Sequence, residues 1–304
     1  MLPTQPEGEA AMTDTPRFGV LMFPTDYAID PVRLAGAAEA RGFESLFFPE
    51  HTHIPTSRRS PWPGGSELPR EYSHTHDPFV ALAMAAAATT TLKLGTGIAL
   101  VTERDPILMA KQAATLDHLS GGRLLLGVGA GWNAEEMEHH GTRYADRWKV
   151  LRERVLAMKT IWSEDEAEFH GDFVDFDPIW SWPKPARAGG PPVLLGASSR
   201  YVFARVAEYG DGWMPIDGRD DALLEAGVQH LADACEAVGR DASEIDLTVF
   251  GVRGDAARVE RLLGLGFRRI LFSLPPEDAD SVIRRLDRLA ELAATFAPRA
   301  RAEG

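Results

Sequence analysis

Eight times along this chain a short run rich in Val, Ile, Leu and Phe is followed by a longer amphipathic stretch. The alternation constrains the fold because strands that pair in parallel need crossover connections, which helices supply. The runs fall at 17–23 (RFGVLMF), 44–49 (ESLFFP), 92–101, 123–129, 192–196, 212–215, 246–251 and 268–274. Helical patterns fall at 31–41, 78–90, 106–119, about 145–162, 201–209, 220–238, 256–265 and 278–296. Asp30 with Pro31 opens the first helix and Gly42 closes it; Pro106 opens the third and Gly121-Gly122 stops it. Near-continuous apolar strands suit a parallel sheet buried on both faces. Eight such units predict an α/β fold, a (β/α)8 TIM barrel with insertion segments after strands two and four.

The 304 residues would also suit two average domains, but one barrel at 16–297 accounts for them, with a flexible tail at 1–15 and a short tail at 298–304. The first fifteen residues lack the basic and apolar regions of a signal peptide. The longest apolar run, 79–88, is half of what a membrane helix needs. A net charge of −13 disfavours nucleic acid and anionic membranes as partners. Cys235 is the only cysteine, which excludes an internal disulfide and any multi-cysteine metal site. A cytoplasmic enzyme with a small-molecule substrate is the expectation.

Two segments break the rhythm, and a barrel's excursions are where function concentrates. Residues 52–76 contain Arg58, Arg59, Trp62, Tyr72, His74 and His76. Residues 163–190 contain Phe169, Phe173, Phe176, Trp180 and Trp182, and their FHGDFVDFD portion alternates around a Gly-Asp turn like a hairpin.

Glu50 and His51 end the second run, and in a barrel that end holds the active site. A histidine there can exchange a proton near neutral pH, with the neighbouring carboxylate fixing its tautomer. A loop histidine bonding the next turn would give the same pattern. Gly95 and Gly97 interrupt the third strand, and Gly127, Gly129 and Gly131 alternate at the end of the fourth. They read either as barrel curvature or as backbone laid bare for a flat ligand. The spacing is not that of a dinucleotide fingerprint. Gly196, Ala197, Ser198, Ser199 and Arg200 run straight into a helix, which makes a phosphate cradle or a plain serine N-cap. The stretch 117–123 (DHLSGGR) reads as structural, with Arg123 close enough to pair with Asp117. Histidine pairs at 51/53, 74/76 and 139/140 raise metal catalysis, but beyond the fifth strand only His230 remains, mid-helix, so no metal is expected.

PEH at 49–51, LGTGI at 94–98, LDHLSGGR at 116–123 and GVGAGWN at 127–133, in that order, resemble the bacterial luciferase-like monooxygenase superfamily. PEHTHIPTSRR, GAGWNAEEMEHHG and FVDFDPIWSWPKP are similar to its branch of oxidoreductases using the deazaflavin coenzyme F420. The resemblance spans nearly all of 17–274. It implies a TIM barrel, usually a homodimer, with the cofactor in the barrel mouth against a non-prolyl cis peptide that would be Gly97–Ile98. By motif position His51 lies near the reactive carbon with Glu50 beside it. Gly129 and Gly131 lie near the cofactor tail, and Gly196, Ala197 and Ser198 near its phosphate. The implied activity is hydride transfer between the deazaflavin C5 and a small substrate, with His51 as general acid or base oriented by Glu50, and with 52–76 and Trp180/Trp182 as wall and lid. FMN with molecular oxygen is the alternative; a metal hydrolase and a non-enzymatic coenzyme-binding barrel are the other classes. Some deazaflavin dehydrogenases of the superfamily carry Glu where this chain has Trp132. The chain has no Lys after Lys184, so a phosphorylated sugar is not expected, while Arg58 and Arg59 remain for some other anion.

Overall fold

The computed structural model describes residues 15–197 and 199–296, so Ser198, all but the last residue of the tail expected at 1–15, and the tail expected at 298–304 lie outside the described residues. Strand one, Arg17–Leu21, pairs in parallel with strand two, Ser45–Phe48, on one side and with strand eight, Arg269–Ser273, on the other. The ladder continues from strand two to strand three, Lys93–Thr96, and strand four, Leu124–Gly129. It returns through strand five, Val193–Leu195, strand six, Gly212–Trp213, and strand seven, Asp246–Val252, to strand eight. All these pairings are parallel and the ring has no open edge, so the sheet is a closed (β/α)8 barrel, as the alternation predicts.

Side chains alternate between two cores, as the two faces of a strand require. Leu21, Phe47, Leu125, Leu194, Met214 and Leu271 fill the barrel interior, with Ile98 and Phe250 packed on them. Val20, Leu46, Leu94 and Leu124 face outward and meet Leu34, Leu82 and Met109 of the surrounding helices. Those helices start on a recurrent device: Asp30, Asp77, Asp105, Asp220, Asp255 and Asp278 each accept the amide three residues on. Part of the chain's acidity is therefore helix capping.

Strand three departs from its apolar run. It stops at Thr96 and resumes as Ala99–Leu100 beside strand four, and the interruption is a cis peptide at Gly97–Ile98. Strand six keeps only two residues. The hairpin pairs Ala167–His170 with Asp175–Ile179, and Glu153 of the helix Arg147–Ser163 accepts the amides of Asp172, Phe173 and Val174 at its turn. The expected Arg123–Asp117 pair is corrected. Arg123 donates to Ser120, Thr89, Leu92 and Ala86, while Asp117 accepts the amides of Leu124, Ala186 and Arg187. Both side chains serve mainly backbone groups at the base of the barrel, so the segment is structural by another route.

At the same end, Arg269 is 2% exposed and holds Glu44 through two bonds of 3.0 Å and Asp246 at 2.7 Å, with Arg17 on Asp246 at 3.1 Å. These residues stand at or just before the starts of strands two, seven, eight and one, opposite the cavity described next.

Candidate active site

Pro49, Glu50 and His51 leave strand two at the carboxyl rim and line a cavity of about 750 Å³. His51 is 9% exposed, and its Nδ1 lies 2.7 Å from Oε2 of the fully buried Glu136. Nε2 is left as the ring nitrogen available to the cavity. Tyr72 and Trp132 flank the imidazole, with ring centroids 5.1 and 5.8 Å away.

Glu136 belongs to the helix Ala134–His139, which the sequence reading missed because six residues are too few for a periodic signal. The available signal was Asn133 followed three residues later by Glu136, a capping pattern. Asn133 does cap the helix, accepting from the Glu136 amide at 3.3 Å, but the Glu136 side chain turns to His51. Its Oε1 accepts the amides of Thr52 at 2.9 Å and His53 at 3.4 Å. Burial opposes the charge of Glu136. The hydrogen bond and charge of His51 and the two amides outweigh it, so the carboxyl sits below the usual Glu value.

The expectation that Glu50 orients His51 is therefore corrected. Glu50 lines the cavity, but its carboxylate accepts the Leu100 amide at 2.7 Å and is clasped by the Arg104 guanidinium, with Nε at 2.7 Å. It ties strand two to the chain leaving strand three. Trp132, not an acid, directly follows the strand-four glycines, and Glu136 four positions on supplies the contact to the imidazole.

The floor is backbone. Gly97, Ile98, Ala130, Gly131, Gly196 and Ala197 line the cavity. The Ile98 side chain turns down into the barrel, where a Cβ on Gly129 would come within 2.0 Å of its Cδ1 and one on Gly196 within 2.5 Å of its Cγ2. The vacated space at Gly129 is thus filled by the protein's own isoleucine, and Gly129 does not line the cavity; its placement beside a ligand is corrected. Gly131, at φ +76, does line it. The Ser198 candidate lies outside the described residues, while Ser199 reaches the cavity. Arg200 bonds the Tyr201 hydroxyl at 3.1 Å and is not part of the lining.

Trp62, Tyr72, Trp132 and Trp148 form the wall. The loop 52–76 is anchored by Glu135, which accepts the hydroxyl of Ser57 at 3.0 Å and both the amide and hydroxyl of Ser60. Burial opposes its charge, but these donors hold its carboxyl at about 2. Arg59 pairs with Glu135 and Glu138, and neither Arg58 nor Arg59 lines the cavity. The Trp180 and Trp182 lid is corrected as well: they are 80% and 56% exposed and outside the lining. At the outer end Arg219 lines the cavity, and the Arg205 guanidinium lies 4.0 Å over the Trp148 ring, with Nη1 lacking a hydrogen-bond partner. Among the described residues no group of three or more His, Cys, Asp or Glu is gathered to hold a metal.

The family model for luciferase-like monooxygenases matches residues 10–296, and the chain belongs to that family. An uncharacterized protein of Mycobacterium tuberculosis is 38% identical over 276 residues, 90% of this chain and 97% of that protein. The F420-dependent hydroxymycolic acid dehydrogenase of the same organism is 29% identical over 238 residues, 76% of this chain and 61% of that protein. The crystal structure of the monooxygenase RslO1 from Streptomyces bottropensis superposes with a TM-score of 0.75 at 19% identity, covering 92% of this chain and 99% of that one. An F420-dependent secondary alcohol dehydrogenase, in complex with an F420–acetone adduct, gives 0.74 at 18% identity, covering 91% and 98%.

Proposed function

We propose that the protein is an F420-dependent oxidoreductase acting on a small organic substrate, with His51 as general acid or base. The observation that carries this reading is an imidazole fixed at Nδ1 by Glu136, standing over a floor of Gly97–Ile98, Gly131 and Gly196 backbone. A planar ring system fits that floor because its glycines carry no side chain and Ile98 packs into the barrel interior, and the aromatic wall supplies the flanking surface. An anionic tail fits where Ser199 and Arg219 line the cavity.

When bound, the deazaflavin carries a hydride. The remaining chemistry belongs to this chain. Glu136 accepts the Nδ1 proton of His51, which sets the tautomer and leaves Nε2 to give or take the proton on a substrate heteroatom. The same carboxylate balances the imidazolium when it forms. Trp62, Tyr72, Trp132 and Trp148 limit access of water. Gly97, Ile98 and Gly131 would bear the ring, and Gly196, Ala197 and Ser199 the phosphate.

FMN could use the same floor, and a monooxygenase shares the fold. The two readings part at the outer end, where Arg219 favours the coenzyme with the more anionic tail. A cytoplasmic homodimer belongs to the proposal too, supported by Val80 and Met84 of the helix Pro78–Ala87 and Leu108 of the helix Pro106–Ser120, exposed at 63%, 48% and 55%. The function is tested by anaerobic incubation of protein, F420 and a panel of small alcohols and carbonyl compounds, following the deazaflavin absorbance. Substrate-dependent change lost in His51→Ala is expected; change that persists in that variant would remove His51 from the reaction.

A further inference from the structure

Glu103 ends the turn Val101–Glu103 directly after the interrupted third strand, and it is 6% exposed. Neither of its carboxyl oxygens is reached by a hydrogen-bond donor. A buried carboxylate without donors or a cation is strongly unfavourable, so either something neutralises it or it keeps its proton.

The charged groups around it can be followed element by element. Arg104, the next residue, has its guanidinium engaged by Glu50, Asp77 and Gln112. Arg154, from the helix Arg147–Ser163, bonds the Val101 carbonyl at 2.9 Å. From strand two comes a second carboxylate, Glu50, and from the helix Ala134–His139 a third, Glu136, whose carboxyl is within hydrogen-bonding reach of Glu103. Above lies Gly131, where a Cβ would stand 3.6 Å from Oε1 of Glu103.

Two carboxyl oxygens can hydrogen-bond only through a proton carried by one of them. The partners decide which. Glu136 accepts from His51 Nδ1 and from the amides of Thr52 and His53, all of which favour its ionised form, whereas Glu103 accepts from nothing. We propose that Glu103 is a positioning residue held as a neutral carboxylic acid, donating its proton to Glu136 and so steadying that carboxylate on the His51 imidazole from beneath the cavity floor. Burial, then the charges of Glu136 and Glu50, push the Glu103 carboxyl up to about 10. The protonation stands whether or not His51 is the proton partner in a reaction. Only the consequence for catalysis rests on that reading.

The test uses the coenzyme-free protein. Infrared difference spectra between wild type and Glu103→Gln should show the carbonyl band of a buried protonated carboxyl at neutral pH, shifted in deuterium oxide and lost in the variant. Absence of that band would overturn the proposal, and would mean that Arg154 or another cation neutralises an ionised Glu103. The positioning role is read from imidazole nitrogen resonances titrated in wild type, Glu103→Gln and Glu103→Leu. Without the donated proton, the Glu136 charge is no longer shared with a second hydrogen bond, so in Glu103→Leu the His51 nitrogen resonances should depart from the wild-type curve. Glu103→Gln, which keeps an N–H donor, should restore the wild-type curve. Identical curves in all three would refute the positioning role even with the infrared band present. Loss of coenzyme-dependent turnover alone would count against the function and not against Glu103.

Discussion

The Nδ1 of His51 and the Oε2 of Glu136 lie 2.7 Å apart, although 85 residues separate them in the chain. Both side chains are nearly sealed from solvent, at 6% and 0% side-chain exposure. A buried imidazole held this way presents one nitrogen to the cavity in a single tautomer, which is what proton exchange with a bound substrate needs.

If the pair works as a unit, His51→Ala and Glu136→Gln should each lower kcat by about 100- to 10,000-fold, with coenzyme affinity nearly unchanged. The double variant should be scarcely worse than either single one, because residues acting together are non-additive. Steady-state kinetics on the three variants measure this. Multiplicative losses would show that the two act separately.

The strand-four glycines divide by what a side chain would meet. At Gly127 a Cβ falls 2.0 Å from the Thr96 carbonyl oxygen, which is part of the barrel wall, whereas at Gly129 it meets the movable end of Ile98. Gly127→Ala should therefore lower thermal stability by about 1–3 kcal/mol or more. Gly129→Ala should lower it less and weaken coenzyme binding by displacing Ile98 from the floor. Melting curves and binding titrations on both variants separate the effects, and equal behaviour would contradict the division.

Arg269→Met leaves Glu44 without its bidentate partner. A quarter of the Glu44 side chain still reaches solvent, so the loss should lie near the low end for a broken buried pair, about 3 kcal/mol. Burial opposes ionisation of Glu44 and Asp246, but Arg269 and its neighbours hold both carboxyls below their ordinary values. Their stabilisation is present above the unfolded carboxyl values and disappears as pH falls through the folded ones. The gap between wild type and variant in denaturant unfolding should thus be full at neutral pH and narrow in acid. A gap independent of pH would contradict the pairing.

Glu103 has the opposite sign. Its folded value is raised from 4.5 to about 10, so the proton favours the folded state below 4.5, and that advantage is lost as pH rises toward 10. Glu103→Gln should therefore gain stability relative to wild type across that interval. Unfolding measured at several pH values tests it, and parallel curves would mean that Glu103 is already ionised.

The barrel was legible because strands buried on both faces leave unbroken apolar runs, and because Asp-Pro at 30–31, 77–78 and 105–106 marks helix starts at short range. His51 was legible because it ends such a run. Glu136 was not: its six-residue helix is shorter than two turns, and its partner is fixed only by closure of the barrel. Glu50 drew the orienting role by adjacency, but neighbours leaving a strand point to different sides, and Leu100 and Arg104 take Glu50. Gly129 signalled close approach correctly, yet glycine does not say what approaches, and here it is Ile98. The contacts of Glu44, Asp246 and Arg269 span up to 229 residues and leave no local pattern.

The central claim, a deazaflavin resting on the Gly97–Ile98 floor, is tested most directly by equilibrium titration of the purified protein with F420 and, separately, with FMN. The account predicts one site per chain, F420 binding at micromolar affinity or tighter, and FMN at least about tenfold weaker, a difference of about 1.4 kcal/mol. Tighter binding of FMN, or no binding of either, would contradict it.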